Sequence, residues 1–392
     1  MKFKFLIFIA CSSFLLSNCI EDKKEPLVKS NEIPTAPTNV KVENIAGGAK
    51  ISYTLPDDPD LLYIQATFFS KAGEKRIVKS SVFKNFVLLD GFGESLEYQV
   101  TLNAVNRYEN ISEPVAVMIY PLKAPILVFF ESLKVIPTFG GVKLTFENES
   151  GNEYSVYTLV KDSITGEWIE YDRMYTSAKD VNYSIRGFNP VPTDFAFFVR
   201  DKWKNNSDTI FTVITPLFEV EFDKTLWLDA ALIDDSNMPR YGALSQLWTP
   251  GATTYFFMKQ DMPGLKLPNW FTIDLGRPYI FGRMHLDLVN HHNNWKYAQG
   301  TPKRFEIWGS NVKSTDWNNW TLLGEFELIK PSGLPVGQLS QADQDAAAVG
   351  HDFDYNVLES GFRYMRFKTL STYGGNPDVY LREITLFGKP VE

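Results

Sequence analysis

FTIDLGRPYIFGRMHLDLVNHHNNWKYAQGTPKRFEIWGS, residues Phe271–Ser310, carries the strongest structural signal in the chain. Two strand patterns, Phe271–Leu275 and Arg283–Val289, alternate apolar and polar residues, and a third, Arg304–Trp308, follows. A period of two turns one face of each strand to a core, so these segments predict a rigid sheet, with Met284, Leu286 and Leu288 inward and His285 outward. Between the second and third patterns lies the polar loop Asn290–Thr301, which carries His291, His292, Trp295 and Tyr297. Hairpin loops ordinarily need only about two to five residues, so a loop of this length and chemistry is expected to do more than connect.

The chain of 392 residues is too long for one small core and suggests two or three domains. Aromatic residues make up 15% and charged residues 22%, a mixture that favours all-β cores and stacking surfaces over disorder or coiled coil. The formal charge of −8, without Lys/Arg clusters, argues against nucleic acid or an anionic membrane surface as the main partner.

Residues 1–19, MKFKFLIFIACSSFLLSNC, combine two lysines with an apolar run short for a membrane span and end on a cysteine. Both cysteines, Cys11 and Cys19, lie in this segment, so the remainder has neither a disulfide framework nor a thiol nucleophile. Leu16-Ser17-Asn18-Cys19 resembles a bacterial lipoprotein lipobox, with Asn18 where a Gly, Ala or Ser is usual. That resemblance implies a signal peptide over 1–18, lipidation of Cys19 and a charged tether over 19–33. The run Ile20–Pro26 is similar to the export tag of Bacteroidetes surface lipoproteins, which implies an outer-membrane protein, lipid-anchored and facing the exterior.

From Pro34 short strand patterns alternate with turn residues. The segment Gly47-Gly48-Ala49-Lys50-Ile51-Ser52-Tyr53 recurs as Gly140-Gly141-Val142-Lys143-Leu144-Thr145-Phe146, and Phe195–Val199 ahead of Asp201–Asn206 echoes the strand from Tyr98 to Val105 with the turn after it. Two β-sandwiches are expected, over 34–122 and 125–216. The start PTAPTNVKV and the YQVTLNAVNRYENISEP segment resemble a fibronectin type III domain, with Tyr98 placed like its corner tyrosine. Trp168, Tyr171 and Trp203 are read as core or edge packing of the second module.

The part from 222 to 390 does not repeat the first two. Leu247–Phe257, Trp270–Gly276, Pro302–Ser310, Trp317–Trp320, Phe362–Lys368 and Leu381–Gly388 together resemble the discoidin, or coagulation factor type C, domain. The resemblance implies a galactose-binding-like β jelly roll, a fold whose bacterial members are commonly carbohydrate-binding modules. The order of signal, two fibronectin-like sandwiches and a discoidin-like domain is similar to surface glycan-binding lipoproteins of Bacteroidetes polysaccharide-utilisation systems. It implies a glycan ligand and a starch-utilisation-type transporter complex as partner.

Sugars offer hydroxyls to polar side chains and an apolar C–H face to aromatic rings, so a site needs both on a preorganised surface. Asn290, His291, His292, Trp295 and Tyr297 supply these types within eight residues. The resemblance places two further segments beside them: Thr372–Asp378, with Tyr373 and Asn376, and Phe257–Gln260, with Phe257 and Lys259. Trp295 or Tyr373 is the expected stacking platform. The chain departs from many sugar-binding members at Phe256-Phe257-Met258, where those carry a Trp-His-Thr stretch. No metal or cofactor is expected: adjacent histidines on an extended strand point apart, Pro250-Gly251-Ala252 lacks the carboxylates of the family's calcium turn, and Asp234 and Asp235 read as solvated surface charge. Nor is an enzyme expected, since four histidines, no thiol and no Gly-x-Ser-x-Gly elbow leave no marked catalytic group. The rival readings are a docking subunit of a transporter complex without sugar binding and a glycan-active hydrolase.

Overall fold

The structure is a computed structural model and describes residues 31–71, 73–236, 243–249, 255–258, 265–290, 293–356 and 360–391. Cys19, His291, His292 and Lys259, with the signal segment and the calcium-turn position Pro250–Ala252, lie outside the described residues. Two compact units emerge: one holds the residues up to Glu131 together with Val199–Ser207, the other Ser132–Phe198 and Asp208–Glu392.

The first seven strands are β1 (Thr38–Ile45), β2 (Gly48–Thr54), β3 (Leu61–Phe69), β4 (Lys75–Ser81), β5 (Phe86–Leu89), β6 (Tyr98–Asn106) and β7 (Val115–Ile119). They form antiparallel sheets in the orders β1-β2-β5 and β4-β3-β6-β7, which share a core that includes Ile51, Ile64, Phe68, Val87 and Leu102. After the helix α1 (Pro125–Ser132) come β8 (Lys134–Thr138), β9 (Gly141–Glu147), β10 (Tyr154–Lys161), β11 (Trp168–Thr176), β12 (Asp180–Arg186), β13 (Thr193–Asp201) and β14 (Ile210–Ile214). Their sheets, β8-β9-β12 and β11-β10-β13-β14, repeat the three-plus-four plan, so both modules are fibronectin type III-like sandwiches.

The internal repeat has a steric cause. Gly47 and Gly140 hold φ of 63° and 65°, in the left-handed region, while a Cβ on Gly48 or Gly141 would run into the carbonyl oxygen of Leu89 or Ile185 across the sheet. β2 and β9 then bury alternate residues in the same pattern. The late strands match as well: the Ser112 hydroxyl accepts from the Ala104 amide at 2.9 Å, and the Ser207 hydroxyl accepts from the Val199 amide at 2.9 Å.

The remaining strands are β15 (Val220–Glu221), β16 (Leu228–Asp229), β17 (Phe256–Met258), β18 (Asn269–Asp287), β19 (Pro302–Ser310), β20 (Thr321–Glu327), β21 (His351–Asp354), β22 (Phe362–Thr372), β23 (Val379–Leu381) and β24 (Glu383–Pro390), with the helix α2 (Gln341–Val349) before β21. They build a discoidin-like jelly roll on the order β15-β24-β18-β22-β19-β20, with β16 and β21 also paired to β18 and a separate β17-β23 ladder. Phe271–Leu275 and Arg283–Val289, read from sequence as two strands, belong in large part to one: β18 runs for 19 residues. Gly276, at φ 80°, bends it, and the Asp274 carboxylate fixes the bend by accepting from the Gly276 amide at 2.8 Å. Before the bend β18 pairs with β22, which it meets once more at Tyr279; beyond it the strand pairs with β24 and β21. The register shift between Phe281 and Arg283 inverts the parity, so the buried set passes from Phe271, Ile273, Leu275, Tyr279 and Phe281 to Met284, Leu286 and Leu288. His285 falls on the outer face, as the alternation predicts.

Candidate functional site

The three segments named from the sequence meet at one end of the jelly roll. β17 pairs with β23, which places Met258 opposite Val379 and Phe257 opposite Tyr380. The Tyr380 amide donates to the Gly300 carbonyl at 3.2 Å and its hydroxyl to the Ala298 carbonyl at 3.0 Å. Tyr373 and Gly374 donate their amides to Thr301 and Gln299 at 3.0 and 2.6 Å. Within the 290–301 loop, the Thr301 hydroxyl donates to the Trp295 carbonyl at 2.6 Å. The loop also contains two left-handed residues that are not glycine, Tyr297 at φ 47° and Gln299 at φ 44°. Such conformations persist only where surrounding contacts hold them, and here the contacts are those bonds to the 372–380 segment.

Trp295 is the half-buried ring at this end. Tyr380 lies against it at 4.8 Å with a 30° tilt, Tyr255 meets it edge-on at 5.3 Å, and Phe257 stands 6.1 Å away. Val289, Phe257 and Tyr380 form the small buried cluster beneath it. Asn290 is part-buried and donates to the Ala347 carbonyl of α2 at 3.5 Å. Asn376 is part-buried too; its carbonyl accepts from the Thr372 hydroxyl at 2.7 Å, and its side-chain oxygen is buried with no hydrogen-bond partner among the described residues.

Two of the sequence-derived contact residues are scaffold instead. Tyr297 is 0% exposed: the left-handed backbone turns its ring inward, where its hydroxyl lies 2.8 Å from His351 Nε2 and burial pushes the phenol far up. Phe257, 7% exposed, packs under Trp295. Tyr373 is held from both sides, edge-on to Tyr297 at 5.7 Å and donating its hydroxyl to the Leu328 carbonyl at 2.7 Å, and burial pushes that phenol up to about 12. Of the two rings expected as stacking platforms, Tyr373 is tied down through its hydroxyl, whereas Trp295 rests half-buried on the cluster beneath it. Tyr255, Val289, Gln299 and Tyr380 were missed by sequence reasoning. Tyr380 reads as one more apolar strand residue, and nothing local marks it as the support of Trp295.

The two described histidines sit behind this end in opposite states. Burial, and then the charge of His285, holds His351 down to about 4, so it is neutral beside Tyr297. Hydrogen bonds with Asp287 and Asp352 raise His285 to about 9 against its partial burial, with Asp352 Oδ1 2.9 Å from Nδ1.

Asp234 and Asp235 are not solvated surface charge. Arg366 is 0% exposed; its Nη2 donates to Asp234 at 2.8 and 2.9 Å and to Asp235 at 3.3 Å. The guanidinium lies against both Trp317 and Trp320, 4.7 and 4.6 Å from the ring centres, which gives these tryptophans a packing role around a buried cation. Burial pushes Asp235 up to about 6, opposed by the Thr272 hydroxyl, the Leu232 amide and Arg366. Among the described residues no group of three or more His, Cys, Asp or Glu is placed to hold a metal ion.

Three family models tile the chain: DUF4959 over residues 34–121, DUF5126 over 122–225 and DUF5000 over 248–388, each a domain of unknown function. The chain is thus a three-part, all-β protein of tandem sandwiches and a terminal jelly roll. It is 30% identical to the SusE-like protein BT2857, over 68% of this chain and 100% of that one, with a TM-score of 0.44. By that identity along the whole of the relative, the chain belongs to the SusE-like proteins. Also similar are CBM32-3 from a family 31 glycoside hydrolase of Clostridium perfringens (17% identical, 43% of this chain and 95% of that chain, TM-score 0.32) and a segment of two fibronectin type III domains from chicken tenascin (14%, 46% and 99%, TM-score 0.22). A search of the curated proteins finds no match. Fold assignment rests on strand order and register.

Proposed function

We propose that this chain is a cell-surface lipoprotein that binds a polysaccharide or oligosaccharide through its terminal jelly roll, without cleaving it, and supports glycan capture for uptake. The observation that carries this reading is the meeting of the 255–258, 290–301 and 372–380 segments around Trp295. A ring supported from below gives a sugar's C–H face a rigid surface, and Asn290 and Asn376 stand in the same segments as hydroxyl partners; His291, His292 and Lys259 complete the proposed set. Membership among SusE-like proteins supports a place in a starch-utilisation-type system, with its outer-membrane transporter complex as partner. In this reading Cys19 carries the lipid, 19–33 is the tether, and the modules over 34–122 and 125–216 hold the 222–390 domain away from the membrane. Among the described residues no helix is long and apolar enough to cross a membrane. Single sugar contacts are weak, so retention grows with repeated ligand units and many copies. Alanine at Trp295 and Tyr373 should lower retention in polysaccharide affinity gels; retention equal to that of the unsubstituted chain would refute the assignment of the site.

A further inference from the structure

The N-terminal unit has a half-open cavity of about 450 Å³ between the ends of β3 and β4, the Gly91–Glu94 segment and the Trp203–Asn206 turn. Its size falls within the range of roughly 300–1,000 Å³ typical of small-molecule sites. The floor is apolar: Phe92 is buried and stacks on Phe68 at 4.8 Å, with Tyr98 tilted against it at 4.6 Å.

Trp203 also lines it, with Lys202 Nζ 4.4 Å over its ring, and its backbone is fixed by the protein's own bonds. Asp201 Oδ1 accepts from the amides of Trp203 and Asn205, both at 2.9 Å. Arg76 donates to the carbonyls of Gly91 and Trp203 at 3.2 and 3.3 Å, and Asn205 Nδ2 donates to Gly91 as well, at 3.0 Å. Gly91, at φ 85°, leaves room for the indole, because a Cβ there would lie 2.7 Å from Trp203 Cδ1. Trp203 is therefore more than edge packing. At the rim Lys71 Nζ and Glu94 Oε1 pair at 2.5 Å, and Ser70, Glu74, Lys204 and Asn206 complete the polar lining.

The lining selects a ligand class. A wholly apolar molecule would strip water from Lys71, Glu74 and Glu94 without replacing their hydrogen bonds. A polyanion would meet Glu74 and Glu94, and a polycation would meet Lys71, Arg76 and Lys204. A neutral polyol with an apolar face suits all of it, since its hydroxyls both donate and accept while its C–H face lies on an aromatic ring. We propose that this cavity is a second saccharide site, in which a neutral sugar lays its C–H face on the part-exposed rings of Tyr98 and Trp203 that line it and hydrogen-bonds to the Lys71–Glu94 rim. It uses no residue of the jelly-roll site. With both sites filled by one polymer, the second contact is intramolecular and retention rises without any new contact in the first.

The test is hydrogen-exchange mass spectrometry on the full chain with maltohexaose, xylohexaose and mannohexaose at millimolar concentration, comparing the unsubstituted protein, Lys71→Ala/Glu94→Ala and Trp295→Ala. The Lys71 and Glu94 side chains are 68% and 42% exposed, so their loss should leave folding intact. At least one sugar should slow exchange over 91–98 and 203–206; the double variant should weaken that protection about tenfold or more in concentration, and Trp295→Ala should leave it unchanged. No protection of 91–98 and 203–206 by any of the three, or protection that the double variant leaves intact, overturns the inference, whatever the 290–301 and 372–378 peptides do. Protection confined to 91–98 and 203–206 upholds it and counts instead against the jelly-roll site.

Discussion

Replacing Tyr297 with phenylalanine removes one oxygen from the base of the 290–301 loop and leaves the ring in place. In the native protein that hydroxyl lies 2.8 Å from Nε2 of a neutral His351, and the tyrosine is completely buried. The variant keeps the edge-on contact with Tyr373 but leaves the imidazole nitrogen without its partner. Orphaning a buried hydrogen-bonding group costs about 1–3 kcal/mol. With a urea dependence of roughly 3 kcal/mol per molar, the transition of the C-terminal unit should move down by about 0.3–1 M. Because Tyr297 holds a left-handed backbone beneath Trp295, glycan retention should weaken together with the unfolding midpoint. Urea unfolding followed by circular dichroism, with affinity gels in parallel, provides the measurement. A midpoint within error of the unsubstituted protein would show that this bond does not hold the loop, and the account of the loop's rigidity would fail with it.

The two histidines predict a stability maximum between acid and alkaline arms. His351 is depressed from 6.5 to about 4, so the unfolded chain binds more protons in that window and stability falls as pH drops through it, by up to about 3 kcal/mol; His351→Gln should flatten this arm in unfolding midpoints measured from pH 4 to 7. His285 is raised to about 9, so its contribution is complete below pH 6.5 and disappears as pH rises through 9; a steeper alkaline arm in His285→Gln would contradict the assignment. Arg366→Met should cost about 3–5 kcal/mol because Asp235 is left buried without its cation, whereas Asp234→Asn, at a more exposed carboxylate, should cost less; equal thermal midpoints for the two would refute the buried-pair reading.

Much of the fold can be read locally. Alternation along Phe271–Leu275 and Arg283–Val289 gives the correct inward faces on both sides of the Gly282 bulge, because side-chain direction in a strand follows from the backbone alone. The glycine pairs at 47–48 and 140–141 mark the two sandwiches, since an added Cβ would strike the neighbouring strand. The joining of two strand patterns into β18 depends on a bend at Gly276 fixed by Asp274, whose carboxylate is itself held by Arg363 at 2.8 and 2.9 Å, far along the chain. The same holds for the site. The three segments rich in aromatic and amide side chains could be named from the sequence and its resemblance, but which of their side chains pack inward could not.

By itself, then, the sequence determined the all-β class, the repeat and the inward faces of the strands from spacing and residue type within short windows, while the jelly roll and the end where a ligand is expected came from the resemblance to the discoidin domain. Only the tertiary structure decided that Tyr297 and Phe257 face inward, that Tyr380 supports Trp295, that Asp235 is a buried partner of Arg366, and that Trp203 walls a cavity beside Phe92. Each of these depends on contacts between residues far apart in the chain, as in Tyr297 with His351 or Arg76 with Trp203. In an irregular loop no backbone period exists to tell one side of the chain from the other, so packing alone sets where a side chain points.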